Sequence, residues 1–221
     1  EQYSANIQML SQQMGSLLKD HVRNESVVGK DAYFDQIGKV TAILKTTRHS
    51  DTPQIDTPHS RRRVSLADYE FADLIDQQDK IRLLIDPTSS YAKAAAYAMG
   101  RATDDVIIAA ALGSSNTGVS GGTAVALPAG NITAVGTGGA NTMNIAKLAL
   151  AKAKLDLGDV DPSITRHIIV SPTEIQDLLN TTTITSSDFN TVKALVQGEI
   201  DSFMGFKFHV SNRLVDNGAA N

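Results

Sequence analysis

The spacing of apolar and polar residues predicts one long helix near the middle of the chain. Residues 86–113, DPTSSYAKAAAYAMGRATDDVIIAAALG, are dominated by alanine. Asp86-Pro87 stops the preceding element, and Ser89 or Ser90 is expected to cap the helix. About 24 residues at a rise of ~1.5 Å make a rod of about 36 Å, whose small side chains let neighbouring elements approach closely. The predicted apolar stripe consists of Tyr91, Ala95, Ala98, Ala102, Val106 and Ala109.

A long charged segment before this helix predicts two extended arms. YFDQIGKVTAILKTT at 33–47 is strand-like, and RRRVSLADYEFADLI at 61–75 alternates, with a shift near Ala67 that indicates a bulge. Between them, Pro53 and Pro58 push the residues that precede them toward extended geometry. Arms of about a dozen residues reach roughly 40 Å. Because a ribbon of that length is marginally stable alone in water, we expect it to lie on another surface.

The remaining sequence predicts shorter elements in an α/β order. Residues 5–22 have apolar side chains at helical spacing, interrupted by Gly15, which predicts a weak amphipathic helix or an arm that orders only against a partner. Ser171, Pro172 and Glu174 form a strong helix start, with a serine cap, a proline in the first turn and a glutamate that reaches back. The other predicted elements are a hairpin near Val125 and Ile132, a helix from a Thr142 cap to about Leu157, a buried strand at 166–170, a polar loop at 181–190, a short helix or strand at 190–200, and a strand at 205–212.

Composition excludes several kinds of chemistry. The 221 residues contain no cysteine, so disulfides, thiolate zinc sites and cysteine nucleophiles are excluded. The formal net charge of −4 argues against a dedicated nucleic-acid binder, which would usually be strongly basic. The longest apolar run, VIIAAAL at 106–112, is far shorter than the roughly 18–20 residues that span a bilayer.

No motif in the sequence specifies catalysis or nucleotide binding. Gly113 and Gly118 have the outer spacing of a phosphate-binding loop, but Val119-Ser120 replaces its lysine. Ser171 lacks the setting of a hydrolase nucleophile. Adjacent helical residues do not face each other, so we interpret Asp104-Asp105 as part of a solvated face. We predict no catalytic residue and no cofactor.

The five histidines do not have the spacing of a zinc protease, which needs a pair at i, i+4 on a helix. His49 and His59, with Asp51 and Asp56, would meet across paired arms and could then bind a metal. Solvated polar side chains on an exposed ribbon are the interpretation that we prefer, and we predict no metal. His167 and His209 lie on predicted strands, where satisfied core or edge histidines are commoner than general bases.

Charge is strongly segregated along the predicted arms. Basic residues cluster up to Arg63, and no Lys or Arg lies between Val64 and Gln78. One interpretation is that both groups are solvated, or that they pair locally for little gain in stability. The sharper hypothesis is that the basic part of one subunit's arm meets an acidic surface on the next subunit in a head-to-tail contact. The candidate inter-subunit residues are Arg48, Arg61, Arg62, Arg63, Asp68, Glu70, Asp73 and Asp76.

The order of these segments resembles the major capsid proteins of tailed bacteriophages with the Hong Kong 97 fold. The most specific pieces are DPTSSY at 86–91, which leads into GRATDDVIIAAALG at 100–113, and SFMGFKFHVSNRL at 202–214. The resemblance implies an α+β fold with these divisions: an N-terminal arm (1–36), an extended two-stranded loop (37–80), a peripheral domain with a long spine helix (81–141), an α/β axial domain (142–205) and a strand returning to the peripheral domain (206–221). The family usually continues beyond this last strand, so we leave open whether either end of the chain is complete.

The resemblance implies a structural function rather than an enzymatic one. Copies would self-assemble into hexamers and pentamers of an icosahedral head that encloses double-stranded DNA, contacted non-specifically. Portal and scaffold or decoration proteins would be further partners, assembly would take place in the host bacterial cytoplasm, and no membrane would be involved. Two alternatives are an encapsulin-like compartment of the same fold around protein cargo, and a soluble α/β hydrolase or nucleotide enzyme, for which the required sites are absent.

Overall fold

The computed structural model describes residues 11–48, 51–73, 88–139, 141–180 and 202–214. Over these residues the fold is α+β, with two separate sheets and α-helices. The chain divides into two compact units. The larger comprises Glu1–Asn24, Glu70–Ala111 and Pro128–Asn221, and the smaller, called the hairpin unit below, comprises Glu25–Tyr69 and Leu112–Leu127.

The hairpin unit contains a four-stranded antiparallel sheet in the order β1-β2-β3-β4. The two long strands pair from Asp31 opposite Ser65 to Ile37 opposite His59. The four strands are β1 (Asp31–Ile37), β2 (His59–Ser65), β3 (Ser115–Thr117) and β4 (Thr123–Val125). The predicted two-stranded arms therefore exist, but each is about half as long as expected.

Pro58 sets the end of the long hairpin at which Ile37 pairs with His59. The Gly38 amide donates to the Pro58 carbonyl over 2.8 Å, but Pro58 has no amide hydrogen to return the bond, so the ladder stops there. A Cβ at Gly38 would lie 2.8 Å from Pro58 Cγ, so the close approach requires glycine. The extended run predicted at 33–47 is wrong beyond Ile37 for this reason.

The other end of the hairpin, at which Asp31 pairs with Ser65, is set by the turn before β1. The Leu66 amide still bonds to the Lys30 carbonyl at 2.9 Å, but Gly29 has a φ of 108° and leads the chain away from β2. Strand β2 therefore ends at Ser65 for lack of a partner, and the bulge predicted near Ala67 is wrong.

The long helix predicted from the alanine-rich run is confirmed as α1 (Thr88–Leu112). Ser89 and Ser90 lie inside its first turn, so neither is the cap. Its most buried residue is Asp104, which is 0% exposed, whereas Tyr91 and Val106 of the predicted apolar stripe are exposed. The packed face is thus rotated relative to the face predicted from apolar residues alone.

The larger unit also holds a three-stranded sheet and two shorter helices. Strand β5 (Arg166–Val170) is parallel to β7 (Phe206–Val210), and β6 (Ser202–Phe203) pairs antiparallel with β7. The helices are α2 (Ile145–Leu157) and α3 (Pro172–Asn180). The apolar core of this region consists of Leu148, Val170, Ile175, Leu178, Phe206 and Phe208.

The helix starts follow the local sequence closely. At α3 the Ser171 amide donates to Glu174 Oε2 at 2.7 Å, and the Glu174 amide donates to Ser171 Oγ at 3.3 Å, which confirms the predicted capping box. At α2 the cap is Asn144, whose side chain accepts from the Lys147 amide, so the prediction of Thr142 is wrong by two positions.

Three further predictions have mixed outcomes. Over residues 11–22 the structure contains only one 3-10 turn, Lys19–His21, so the predicted amphipathic helix is wrong there. The hairpin predicted near Val125 is formed by β3 and β4, and the chain near Ile132 contains a 3-10 turn instead. The predictions for residues 5–10 and 181–200 lie outside the described residues. Within the described ranges, no helix is both long and apolar enough to cross a membrane.

Candidate functional site

The predicted contact residues fall into three groups in the structure. Arg61, Arg62 and Arg63 lie together on β2. Arg48, Asp68, Glu70 and Asp73 lie on exposed segments without regular secondary structure. Asp76 lies outside the described residues. The structure therefore brings together the three arginines.

Arg61 pairs within its own hairpin. Its Nε donates to Asp35 Oδ1 at 2.6 Å and its terminal nitrogen to Asp35 Oδ2 at 3.1 Å. The same guanidinium lies 5.9 Å from the Tyr33 ring centre. The hydrogen bond from Arg61 holds the pKa of Asp35 below its usual value. Because both side chains are exposed, the pair stabilises the hairpin little. It does reduce the availability of Arg61 for a neighbour.

The other two arginines of β2 differ from each other in their surroundings. Arg63 packs against Gly121, where an added Cβ would lie 2.4 Å from Arg63 Cβ, and its Nε is buried without a hydrogen-bond partner among the described residues. Arg62 is half-buried and lines a surface depression together with His59 and Thr117. We therefore regard Arg62 as the member of the triplet best placed to meet another molecule.

The hairpin unit has many exposed apolar side chains and no buried ones among its described residues. Leu44 is 83% exposed and Ile37 is 70% exposed. All of the buried apolar residues in the described ranges belong to the larger unit. The exposed set includes Tyr33, Ile37, Val40, Ile43, Leu44 and Val64. Such a concentration of exposed apolar surface is typical of an interaction site.

Asp104 forms an anchor that fixes the segment before β1 (residues 11–24) to α1. Its carboxylate accepts hydrogen bonds from two side chains and two backbone amides. The donors are Gln13 Nε2 at 2.6 Å, Ser16 Oγ at 2.5 Å, and the Leu17 and Leu18 amides at 3.1 Å each. Burial raises the pKa of Asp104, but the four hydrogen bonds lower it by more, so its pKa lies below the ordinary value.

The neighbouring carboxylate makes a different connection. Asp105 accepts from Arg213 Nε at 2.8 Å and from one terminal nitrogen of the same guanidinium, which ties α1 to the segment after β7. The hydrogen bond from Arg213 lowers the pKa of Asp105. The interpretation of Asp104-Asp105 as a solvated face is therefore wrong, because each carboxylate has its own partner and Asp104 is fully buried.

Glycine allows the close approach beside this anchor. A Cβ at Gly100 would lie 2.5 Å from the Gly15 Cα and carbonyl carbon and 2.7 Å from the Ser16 amide nitrogen. The helix and the segment thus touch backbone to backbone one turn before Asp104. Gly15, which interrupts the predicted amphipathic pattern, has a φ of 87° at this point.

Replacing Gly100 by alanine is expected to destabilise the larger unit. In an exposed helix this change would stabilise by about 1 kcal/mol. Here the new methyl group would meet backbone that cannot rotate away, and overpacking costs about 1–3 kcal/mol. Urea unfolding followed by circular dichroism measures the change. Ala96→Gly, at an exposed position of α1, is the control and should cost about 1 kcal/mol. Stabilisation by Gly100→Ala would contradict the contact.

Three histidines from distant parts of the sequence form a cluster on the β5–β7 sheet. Ring centres lie 4.7 Å apart for His21 and His167, 4.0 Å for His21 and His209, and 5.1 Å for His167 and His209. Partial loss of hydration is the main cause that lowers the pKa of His167, and electrostatic repulsion from His21 and Lys207 lowers it further. The prediction of satisfied core or edge histidines at His167 and His209 missed this cluster. Of the metal site considered across the arms, His49 lies outside the described residues.

Comparisons with known proteins agree with this architecture. The sequence model of the family described as phage capsid protein matches residues 1–220. Among solved structures, the chain is similar to the capsid structure of the cyanophage P-SCSP1u, with a TM-score of 0.68 and 18% sequence identity over 97% of this chain and 68% of that one. No curated protein matches significantly.

These findings define a structural, non-enzymatic protein that is a component of a virion and assembles with copies of itself into a shell. The family match covers nearly the whole chain, and the chain belongs to the phage capsid protein family. The alternative of a hydrolase or nucleotide enzyme is thereby wrong.

Proposed function

We propose that this chain is the major subunit of an icosahedral phage head with the Hong Kong 97 fold, in which hexamers and pentamers enclose double-stranded DNA. Three features support the proposal: a long helix, an antiparallel hairpin in the sequence before it, and a separate α/β portion. The family match and the similarity to a cyanophage capsid agree with it.

The observation that carries the proposal is the exposure of the hairpin unit. A unit that leaves side chains such as Ile37 and Leu44 in water gains little stability from burial. Burial of apolar surface contributes roughly 25 cal/mol per Å², so covering several such side chains would favour association strongly. We infer that a neighbouring subunit covers this surface, and that residues 37–80, of which 37–69 belong to the hairpin unit, act as the extended loop.

Charge would set the register of that contact. Arg48 is exposed and Arg62 half-buried, whereas Asp68, Glu70 and Asp73 are exposed. The basic group on one subunit meeting the acidic group on the next would make a head-to-tail contact, which closes into rings. Complementary charge in such a contact gives specificity more than affinity. Asp76 belongs to the same proposed acidic group by its place in the sequence.

The other parts of the proposal concern the organisation of the shell. Residues 1–36 would be the N-terminal arm, 81–141 the peripheral domain, 142–205 the axial domain around the capsomer centre, and 206–221 the strand that returns to the peripheral domain. Portal and scaffold or decoration proteins would bind the shell, and assembly would take place in the host cytoplasm. The net charge of −4 fits non-specific rather than tight contact with packaged DNA.

Electron microscopy of purified particles, combined with nuclease treatment, tests this function. We expect closed icosahedral shells that contain five- and six-fold capsomers and protect double-stranded DNA when isolated from phage. Shells that hold a packaged enzyme instead of DNA would indicate an encapsulin-like compartment. A monodisperse monomer that never assembles would contradict the proposal.

A further inference from the structure

The outer face of the β5–β7 sheet presents two imidazoles side by side. Phe206 and Phe208 of β7 belong to the core, so strand alternation directs Lys207 and His209 to the opposite face. On β5, His167 is paired in register with Lys207 and shares that face. His167 Nδ1 and His209 Nε2 approach to 2.8 Å.

The segment before β1 supplies the third imidazole. His21 ends the 3-10 turn Lys19–His21, which begins directly after the buried residue Leu18, and Asp104 binds the Leu18 amide. The anchor on α1 thus fixes the position from which His21 reaches the sheet. Its ring lies over those of both other histidines, with centres 4.0 Å and 4.7 Å away.

We propose that His21, His167 and His209 form a binding site for a divalent transition-metal ion, with Zn²⁺ as the best-fitting type. One nitrogen from each ring lies within 4.8 Å of the other two. Tetrahedral Zn²⁺ holds imidazole nitrogens at about 2.0–2.1 Å, which separates them by roughly 3.4 Å from one another. The ring planes lie between 26° and 33° to one another, so the rings must rotate until their in-plane nitrogen lone pairs converge on the ion.

The chemistry of the cluster favours such an ion over hard cations. Neutral imidazole suits Zn²⁺, Cu²⁺ and Ni²⁺, whereas Mg²⁺ and Ca²⁺ prefer oxygen ligands. His21 and His167 are exposed and His209 is half-buried, so an ion can enter from solvent. Three protein ligands leave the fourth tetrahedral position to water. The bound ion would clamp the segment before β1 onto the sheet, a role beyond the proposed shell function.

Equilibrium dialysis of the untagged full chain against Zn²⁺ tests the site. We expect one ion per chain, and at least about a tenfold loss of affinity for His21→Gln, His167→Gln and His209→Gln. His59→Gln, on the hairpin unit, is the matched control and should bind as the parent does. Co²⁺ in place of Zn²⁺ should give the visible absorption of a tetrahedral site. No binding by the parent chain, or equal binding by all variants, would overturn the proposal.

A gain of affinity provides a second test that does not depend on removing a ligand. Lys207 is exposed on the same face and its charge opposes a cation beside His167. Lys207→Gln should raise Zn²⁺ affinity by up to about fivefold, the usual scale for one exposed charge. Lys152→Gln on α2 is the matched control and should leave affinity unchanged. Unchanged affinity in Lys207→Gln would contradict the placement of the ion.

Discussion

Replacing Asp104 by alanine is expected to destabilise the larger unit by about 3 kcal/mol or more. The substitution leaves the Leu17 and Leu18 amides without their acceptor, and each buried unsatisfied donor costs about 1–3 kcal/mol. It also removes the acceptor of Gln13 and Ser16. Urea unfolding at neutral pH measures the loss, and proteolysis should become faster at residues 11–24.

The neighbouring residue provides the control for this experiment. Asp105→Ala breaks a partly exposed pair with Arg213, which should cost no more than about 1 kcal/mol. The two variants remove the same chemical group from adjacent positions of one helix. Equal losses for both would contradict the account of Asp104 as the anchor of the segment before β1.

The same carboxylate makes a defined contribution to acid sensitivity. Its folded pKa lies below the ordinary value of 3.8. The stabilisation is therefore present above that value and is lost as pH falls through the folded pKa. The stability difference between the parent chain and Asp104→Asn should be constant from neutral pH to about pH 5 and shrink toward acid. A difference that grows as pH falls would contradict the pKa direction.

Reversing Arg48 and Arg62 together to glutamate is expected to leave the chain folded and to reduce the yield of closed particles at least about tenfold. Like charges brought together at an interface cost several kcal/mol, and a shell repeats the contact many times. Arg61 and Arg63 are left intact because the first pairs with Asp35 and the second packs against Gly121. Sedimentation and electron microscopy measure the yield, and circular dichroism checks the fold.

A charge exchange within the hairpin is the matched control. Asp35→Arg combined with Arg61→Glu preserves both the net charge and the internal pair, so particles should form at nearly the parent yield. Normal assembly of the Arg48 and Arg62 reversal would show that these arginines do not contact a neighbour. If only the variant with the exchanged pair failed to assemble, Asp35 and Arg61 would be the residues that contact the neighbour.

Sequence reasoning succeeded where structure depends on local pattern. The alanine-rich run gives α1, the short apolar run gives β5, alternation gives β7, and the Ser171 capping box gives the start of α3. Each of these signals lies within a few residues of the element that it specifies. The α+β class and the resemblance to phage capsid proteins follow from the order of such elements.

It failed where structure depends on contacts between distant segments. The hairpin length is set by the meeting of Gly38 and Pro58, which no local pattern marks. The role of Asp104 depends on the amides of Leu17 and Leu18, which lie 87 and 86 positions earlier in the chain. Every residue except proline has a backbone amide, so the sequence does not mark these two as partners. A carboxylate pair within an otherwise alanine-rich helix was the one available signal. His167 and His209, 42 positions apart, come together only through parallel strand pairing.

The central claim, that a second copy covers the hairpin unit, can be measured directly because the chain has no cysteine of its own. Leu44→Cys introduces a single thiol at an exposed position of the hairpin unit, and maleimide labelling reports its accessibility in dissociated subunits and in assembled shells. We expect labelling to slow at least about tenfold on assembly, since a buried interface excludes the reagent. Equal labelling rates in subunits and shells, both for Leu44→Cys and for a second variant such as Ile37→Cys, would contradict the account.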